Sequence, residues 1–124
     1  MAAQLKGFSA VFTVRDVAAS LAFYRDRLGF RLEFGMGEPP TYAIIERETV
    51  SLHLMPASQS PDGLGTSSIY VYVDDVDGLH AGLVAMACPI SFGPEDLSYG
   101  MREIAVRDPD GNRITFGAPL PKAG

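Results

Sequence analysis

Tryptophan is missing from this chain, cysteine occurs once and histidine twice. Without an indole, any aromatic surface offered to a ligand must be built from phenyl and phenol rings. A lone Cys88 excludes an intrachain disulfide and points to a reducing compartment. As a small, half-buried apolar side chain it needs no catalytic role. Basic residues are scarce as well: 10 Lys and Arg stand against 15 Asp and Glu, for a net charge of −5. With no positive excess to neutralise phosphates, nucleic acid is not an expected partner. No run of about 18 apolar residues occurs, and MAAQLKGFSAV has no apolar core behind a basic start. The expectation is a soluble, cytoplasmic protein with no membrane partner.

What remains is an ordinary globular mixture, 47% hydrophobic and 20% charged, arranged in a repeat. FTVRDVAASLAFYRDRLGF, from Phe12, matches VYVDDVDGLHAGLVAMACP, from Val71: each passes from a strand ending in Val, through Asp-Val, into a helical pattern. Asp16 and Asp75 correspond, 59 positions apart. Phe8 to Val14 alternates as a strand, and Asp16 is suited to cap a helix by accepting from free backbone N–H groups. Val17, Leu21, Tyr24 and Leu28 recur at helical spacing, and Gly29 suits the residue after the helix. Strand-like runs follow at Phe30 to Phe34, Tyr42 to Arg47 and Val50 to Met55. The polar stretch 57–67 reads as a linker. The second half repeats the order, with strand Ser68 to Val73, helix Val76 to Met86, and strands near Ile90, at Met101 to Arg107 and at Asn112 to Gly117. The fold class expected is α+β: two βαβββ modules, at 5–56 and 68–118, forming one domain with a cup-shaped, incompletely closed mixed β-sheet and helices outside.

Alternation assigns the faces. Phe12, Val14, Leu52, Leu54, Ile69, Val71, Ile104, Val106, Ile114 and Phe116 go under the helices. Opposite them stand Ser9, Val11 and Thr13; Ser51, His53 and Met55; Ser68, Tyr70 and Tyr72; Met101, Glu103 and Ala105; and Arg113, Thr115 and Gly117. A sheet face mixing Tyr, Met, Ser, Thr, His and Glu resembles a cleft lining more than a core. By the same parity Phe34 belongs with Phe30 and Leu32. The loops GMGEPPT and SFGPEDLSYG flank this face, and the second, with Phe92 and Tyr99, is placed at its rim.

Asp108-Pro109-Asp110-Gly111-Asn112 resembles the start of a calcium loop. However, the sixth and twelfth positions, where such a loop needs Gly and Glu, are Arg113 and Pro119, and no helix flanks the segment. Between two alternating strands it reads as a hairpin turn.

YGMREIAVRDPDGNRITFG, from Tyr99, resembles the closing hairpin of the vicinal-oxygen-chelate superfamily, and DVAASLAFYRDRLGFRLEF, from Asp16, its opening helix and second strand. That superfamily comprises glyoxalase I, extradiol dioxygenases, fosfomycin-modifying transferases and bleomycin-resistance proteins. The resemblance places metal ligands at Ser9, at Ser68 or Thr66, at Thr115 and at His53. Hydroxyls are poor ligands for a divalent ion, so no metal and no other cofactor is expected. His80, in the second helix, is expected to be solvated or half-buried.

The chain therefore sits nearest the metal-free, bleomycin-resistance-like members. The resemblance implies a homodimer binding a small organic molecule, an aromatic or cationic antibiotic, by sequestration. Its contacts would come from Ser9, Tyr42, His53, Met55, Tyr70, Tyr72, Phe92, Tyr99, Met101, Glu103 and Thr115. The alternative is a lyase, isomerase or dioxygenase-like enzyme acting on a small oxygenated substrate. There His53 would act as base or metal ligand, with Glu103 or Tyr70 beside it. A third reading is a regulatory subunit with no small ligand.

Overall fold

The computed structural model describes residues 2–60 and 63–121. Its order is β1 (Ala10–Val14), α1 (Val17–Leu28), β2 (Arg31–Met36), β3 (Tyr42–Arg47), β4 (Val50–Pro56), a 3₁₀ turn (Ala57–Gln59), β5 (Ser68–Tyr72), α2 (Val76–Ala85), β6 (Phe92–Asp96), β7 (Met101–Arg107) and β8 (Arg113–Pro119). This is the βαβββ plan twice. The expected linker begins with the 3₁₀ turn, and positions 61 and 62 lie outside the described residues, as do 122–124 of the tail.

Both helices start where a carboxylate can cap them. Asp16 accepts from the Ala19 N–H at 3.1 Å and Asp75 from the Gly78 N–H at 2.9 Å, each satisfying a donor that the first turn leaves free. Gly29 closes α1 at φ 74°, the left-handed conformation that costs glycine least. Helix α1 lies against β2, β3 and β4, and α2 against β6, β7 and β8. Phe12, Val14, Ile45, Leu52, Leu54, Ile104, Val106 and Ile114 form a buried core with Leu21, Tyr24, Leu28 and Leu83. The expected helix-side parity thus holds in β1, β4, β7 and β8.

The open cup consists of two four-stranded mixed sheets, ordered β1-β4-β3-β2 and β5-β8-β7-β6. In each, the first strand runs parallel to the last and the other pairs are antiparallel. Two features depart from the sequence reading. The register shifts between Leu32 and Phe34, so Leu32 pairs with the buried Ile45 while Phe34 pairs with Ile44. This bulge reverses the parity, and Phe34 stands half exposed on the face opposite α1 instead of sharing the core with Phe30. The SFGPEDLSYG stretch is not all loop. Phe92–Asp96 forms edge strand β6, where Pro94 is tolerated, and the strand expected near Ile90 begins later.

The modules are tied together at the acidic turn. Asp108 accepts the Asp110 and Asn112 N–H groups through Oδ1, at 2.9 Å each. Its Oδ2 accepts the Tyr24 hydroxyl and Asn112 Nδ2, again at 2.9 Å. Asn112 also donates to the Thr13 carbonyl and accepts from the Ser67 N–H. The segment is the hairpin turn expected, and it is also a buried clasp joining α1 and β1 to the second module. Burial, with the charge and hydrogen bond of Asp108, holds the Tyr24 phenol far above its ordinary pKa.

Candidate functional site

The second sheet carries the most organised polar group. Glu103, on β7, is 5% exposed. Its Oε2 accepts two phenol hydroxyls, Tyr70 from β5 and Tyr99 from the turn before β7, each at 2.7 Å. Register explains the reach. Gly117 of β8 lies between Tyr72 and Glu103, so Tyr70 crosses diagonally over a position with no side chain. A Cβ at Gly117 would collide with the Tyr70 hydroxyl. Burial first, then the Glu103 hydrogen bond and charge, keep the Tyr70 phenol protonated well past its ordinary range. For Tyr99 the hydrogen bond comes first, and Arg113 pulls the other way.

Around this centre Tyr70, Tyr72, Tyr99, Met101 and Glu103 line a hollow of about 230 Å³. The Tyr70 and Tyr72 rings lie 5.2 Å apart, tilted by 56°, and Tyr72 is 79% exposed. These two tyrosines also border a groove of about 460 Å³ that extends to Phe8 and Ser51. The tyrosine face is therefore open from two sides.

The first sheet carries a different pair. His53, on β4, meets the Tyr42 hydroxyl through Nδ1 at 2.6 Å, with the rings edge to face at 5.7 Å. Whichever group holds the proton, Nδ1 is committed, so Nε2 is the nitrogen left to act on anything else. The partner of His53 is thus Tyr42, while Tyr70 belongs to Glu103. Among the described residues no hydrogen bond joins His53 to Glu103 or to Tyr70.

The remaining expected positions are dispersed. Ser9 donates to the Ser51 hydroxyl at 2.9 Å, and the Thr66 hydroxyl to the Gly63 carbonyl. Ser68 is exposed, Thr115 is buried, and Met55 is half-buried beside Thr13. Thr13, expected on the open face, is buried against Ser60. Phe92 is part-buried and pairs with Ala105. Cys88 is buried, and burial raises its thiol pKa. His80 is part-exposed in α2.

The positions that the resemblance assigns to a metal, Ser9, Ser68 or Thr66, Thr115 and His53, offer three hydroxyls and one imidazole. That donor set does not fit a divalent ion. No group of three or more His, Cys, Asp or Glu poised for one occurs among the described residues.

Two βαβββ modules, each a four-stranded mixed sheet with a helix against it, define the class of fold. The comparisons narrow it: residues 8–116 match the Glyoxalase/Bleomycin resistance protein/Dioxygenase superfamily, and the chain belongs to that family. It is similar to the bleomycin-binding protein of bleomycin-producing Streptomyces verticillus, solved with copper(II)-bleomycin. Identity there is 26%, coverage 98% of this chain and 100% of that one, and the TM-score 0.72. A glyoxalase/bleomycin resistance protein from Catenulispora acidiphila is 28% identical, over 92% of this chain and 97% of that one, at a TM-score of 0.73. A lactoylglutathione lyase from Agrobacterium tumefaciens shares the fold at 21% identity, with 91% and 92% coverage and a TM-score of 0.73. No curated protein matches.

Neither Tyr24 nor Gly117 was singled out for a site role by sequence. Tyr24 reads as a helix-face core residue, and nothing in a strand marks which glycine a tyrosine will cross.

Proposed function

We propose that this protein binds a small aromatic, cationic molecule without a metal, and that it acts by sequestration. The observation that carries this is the Glu103 carboxylate, nearly buried and held by Tyr70 and Tyr99 in a tyrosine-lined hollow. A carboxylate at the base of a tyrosine-lined hollow favours a cation that also stacks. Tyr42, His53, Met55 and Ser9 of the first sheet, with Thr115 and Phe92 of the second, would complete the contacts. The similarity to a bleomycin-binding protein supports a ligand of the antibiotic kind. A cytoplasmic homodimer is part of the reading, supported by exposed Leu5, Phe8, Leu32, Phe34 and Met36, which a second copy would cover. Light scattering in solution checks the assembly.

The test is calorimetry and thermal shift with metal-stripped protein and a bleomycin-type drug. A binder of the native state raises its melting temperature by mass action. Replacing Glu103 by Gln should remove most of that rise. A rise caused instead by Zn²⁺, Ni²⁺, Mn²⁺ or Fe²⁺ alone would overturn the metal-free reading.

The second reading, a lyase, isomerase or dioxygenase-like enzyme, draws on the Tyr42–His53 pair, in which a hydrogen-bonded phenol orients an imidazole. Replacing His53 by Ala separates the two: turnover would vanish under the second reading, whereas ligand affinity would change only modestly under the first.

A further inference from the structure

The Glu103 carboxylate is asymmetric in what it can still accept. A carboxylate oxygen offers about two lone-pair directions. Tyr70 and Tyr99 both donate to Oε2, at 2.7 Å each, which uses both directions there. Oε1 has no hydrogen-bond partner among the described residues. No buried side-chain oxygen is left unpartnered among them, so Oε1 is not fully buried, and Glu103 lines the hollow. The two donors come from separate elements, one on β5 and one from the turn before β7. The gap at Gly117 holds the first of them in place.

Cations differ in how they use such a group. A guanidinium or amidinium presents a planar fork of parallel N–H donors and is matched to a carboxylate with both oxygens free. An ammonium is a compact point charge whose donors act singly. With Oε2 saturated, a fork forfeits one of its two bonds, while an ammonium on Oε1 loses nothing and lies against the Tyr70, Tyr72 and Tyr99 rings. We infer that this site selects an aromatic compound bearing an aliphatic ammonium over one bearing a guanidinium or amidinium, and that Tyr70 and Tyr99 set the preference by occupying Oε2. This rests on the aromatic-cation reading above and names the ligand class within it.

The experiment compares two probes of equal charge and similar size, benzylammonium and benzamidinium, at pH 7, with benzyl alcohol as the neutral control. Binding is followed by titration of backbone amide NMR signals at Tyr70, Tyr99 and Glu103. On the unmodified protein benzylammonium should bind about tenfold more tightly than benzamidinium, the scale of one charge-assisted hydrogen bond. Tyr99→Phe, at an exposed ring, frees one direction on Oε2, and the ratio should fall at least fivefold, mostly through tighter benzamidinium binding. Tyr70→Phe should act in the same direction. Equal binding of the two cations to the unmodified protein would overturn this inference and leave the aromatic-cation reading standing. So would a ratio unmoved by both substitutions. If neither cation binds better than benzyl alcohol, both readings are overturned.

Discussion

Tyr70 on β5 reaches Glu103 Oε2, two strands away on β7, at 2.7 Å only by passing over Gly117 of the intervening β8. The glycine has no conformational reason to be there, since its φ lies outside the left-handed region. Its value is the space it leaves. Gly117→Ala should therefore displace the phenol and lower stability by about 1–3 kcal/mol, the usual cost of forcing a methyl into a filled site. It should also let Tyr70 ionise at lower pH. Urea unfolding and an ultraviolet titration of the phenols would read the two effects, and an unchanged titration would show that Tyr70 does not depend on the gap.

Tyr24 and Asp108, 84 positions apart, should behave as one unit. Tyr24→Phe leaves Asp108 Oδ2 with Asn112 as its remaining donor, a loss of about 1–3 kcal/mol for a buried charged acceptor. Asp108→Ala should cost more, because Tyr24, Asn112 and two backbone N–H groups all lose their acceptor. The double substitution should cost less than the two single losses together, since they share one bond. Denaturant unfolding of the three variants would measure this coupling, and simple additivity would show the clasp to be passive.

Alkaline pH should weaken the fold. An unperturbed phenol ionises near pH 10. Tyr24, Tyr70 and Tyr99 are all held above that value in the folded chain, by burial first for Tyr24 and Tyr70 and by the Glu103 hydrogen bond first for Tyr99. Above about pH 10 the folded state therefore binds more protons than the unfolded one, and stability falls as pH rises. Below pH 10 the contribution is fully present. Cys88, also raised by burial, adds in the same direction. Unfolding midpoints should hold at pH 8 and decline between about pH 9 and 11, with part of the decline removed in the Tyr24→Phe variant, since Tyr70 and Tyr99 remain.

Phe34 offers a test of the bulge. If it belonged to the core, Phe34→Ser would cost several kcal/mol. Half exposed on the open face, it should cost under about 1 kcal/mol. Chemical denaturation decides between them. A loss of core size would place the ring under α1 after all.

Much of this protein could be read before folding was considered. The caps at Asp16 and Asp75, the helix spacing from Val17 to Leu28, and the alternation in β3, β4, β5, β7 and β8 are local signals. Each arises from hydrogen bonding within a few residues or from the period of one element, so a single strand of text carries them. The family resemblance travelled the same way, through two contiguous motifs. What depended on tertiary structure involves residues far apart or backbone irregularity. The bulge between Leu32 and Phe34 reverses a face without changing the letters. The pairing of His53 with Tyr42, and of Glu103 with Tyr70, was settled by strand register, which alternation alone leaves open, and Tyr99 joins from the turn before β7. The acidic turn was legible as a turn, but its second role, holding Tyr24 and Thr13 through Asp108 and Asn112, exists only because packing brings the first module onto the hairpin of the second. Local sequence determined which elements form and, apart from the bulged β2 and Thr13, which sides they bury. Long-range packing decided which polar groups meet, because a buried acid takes the donors that the fold delivers to it.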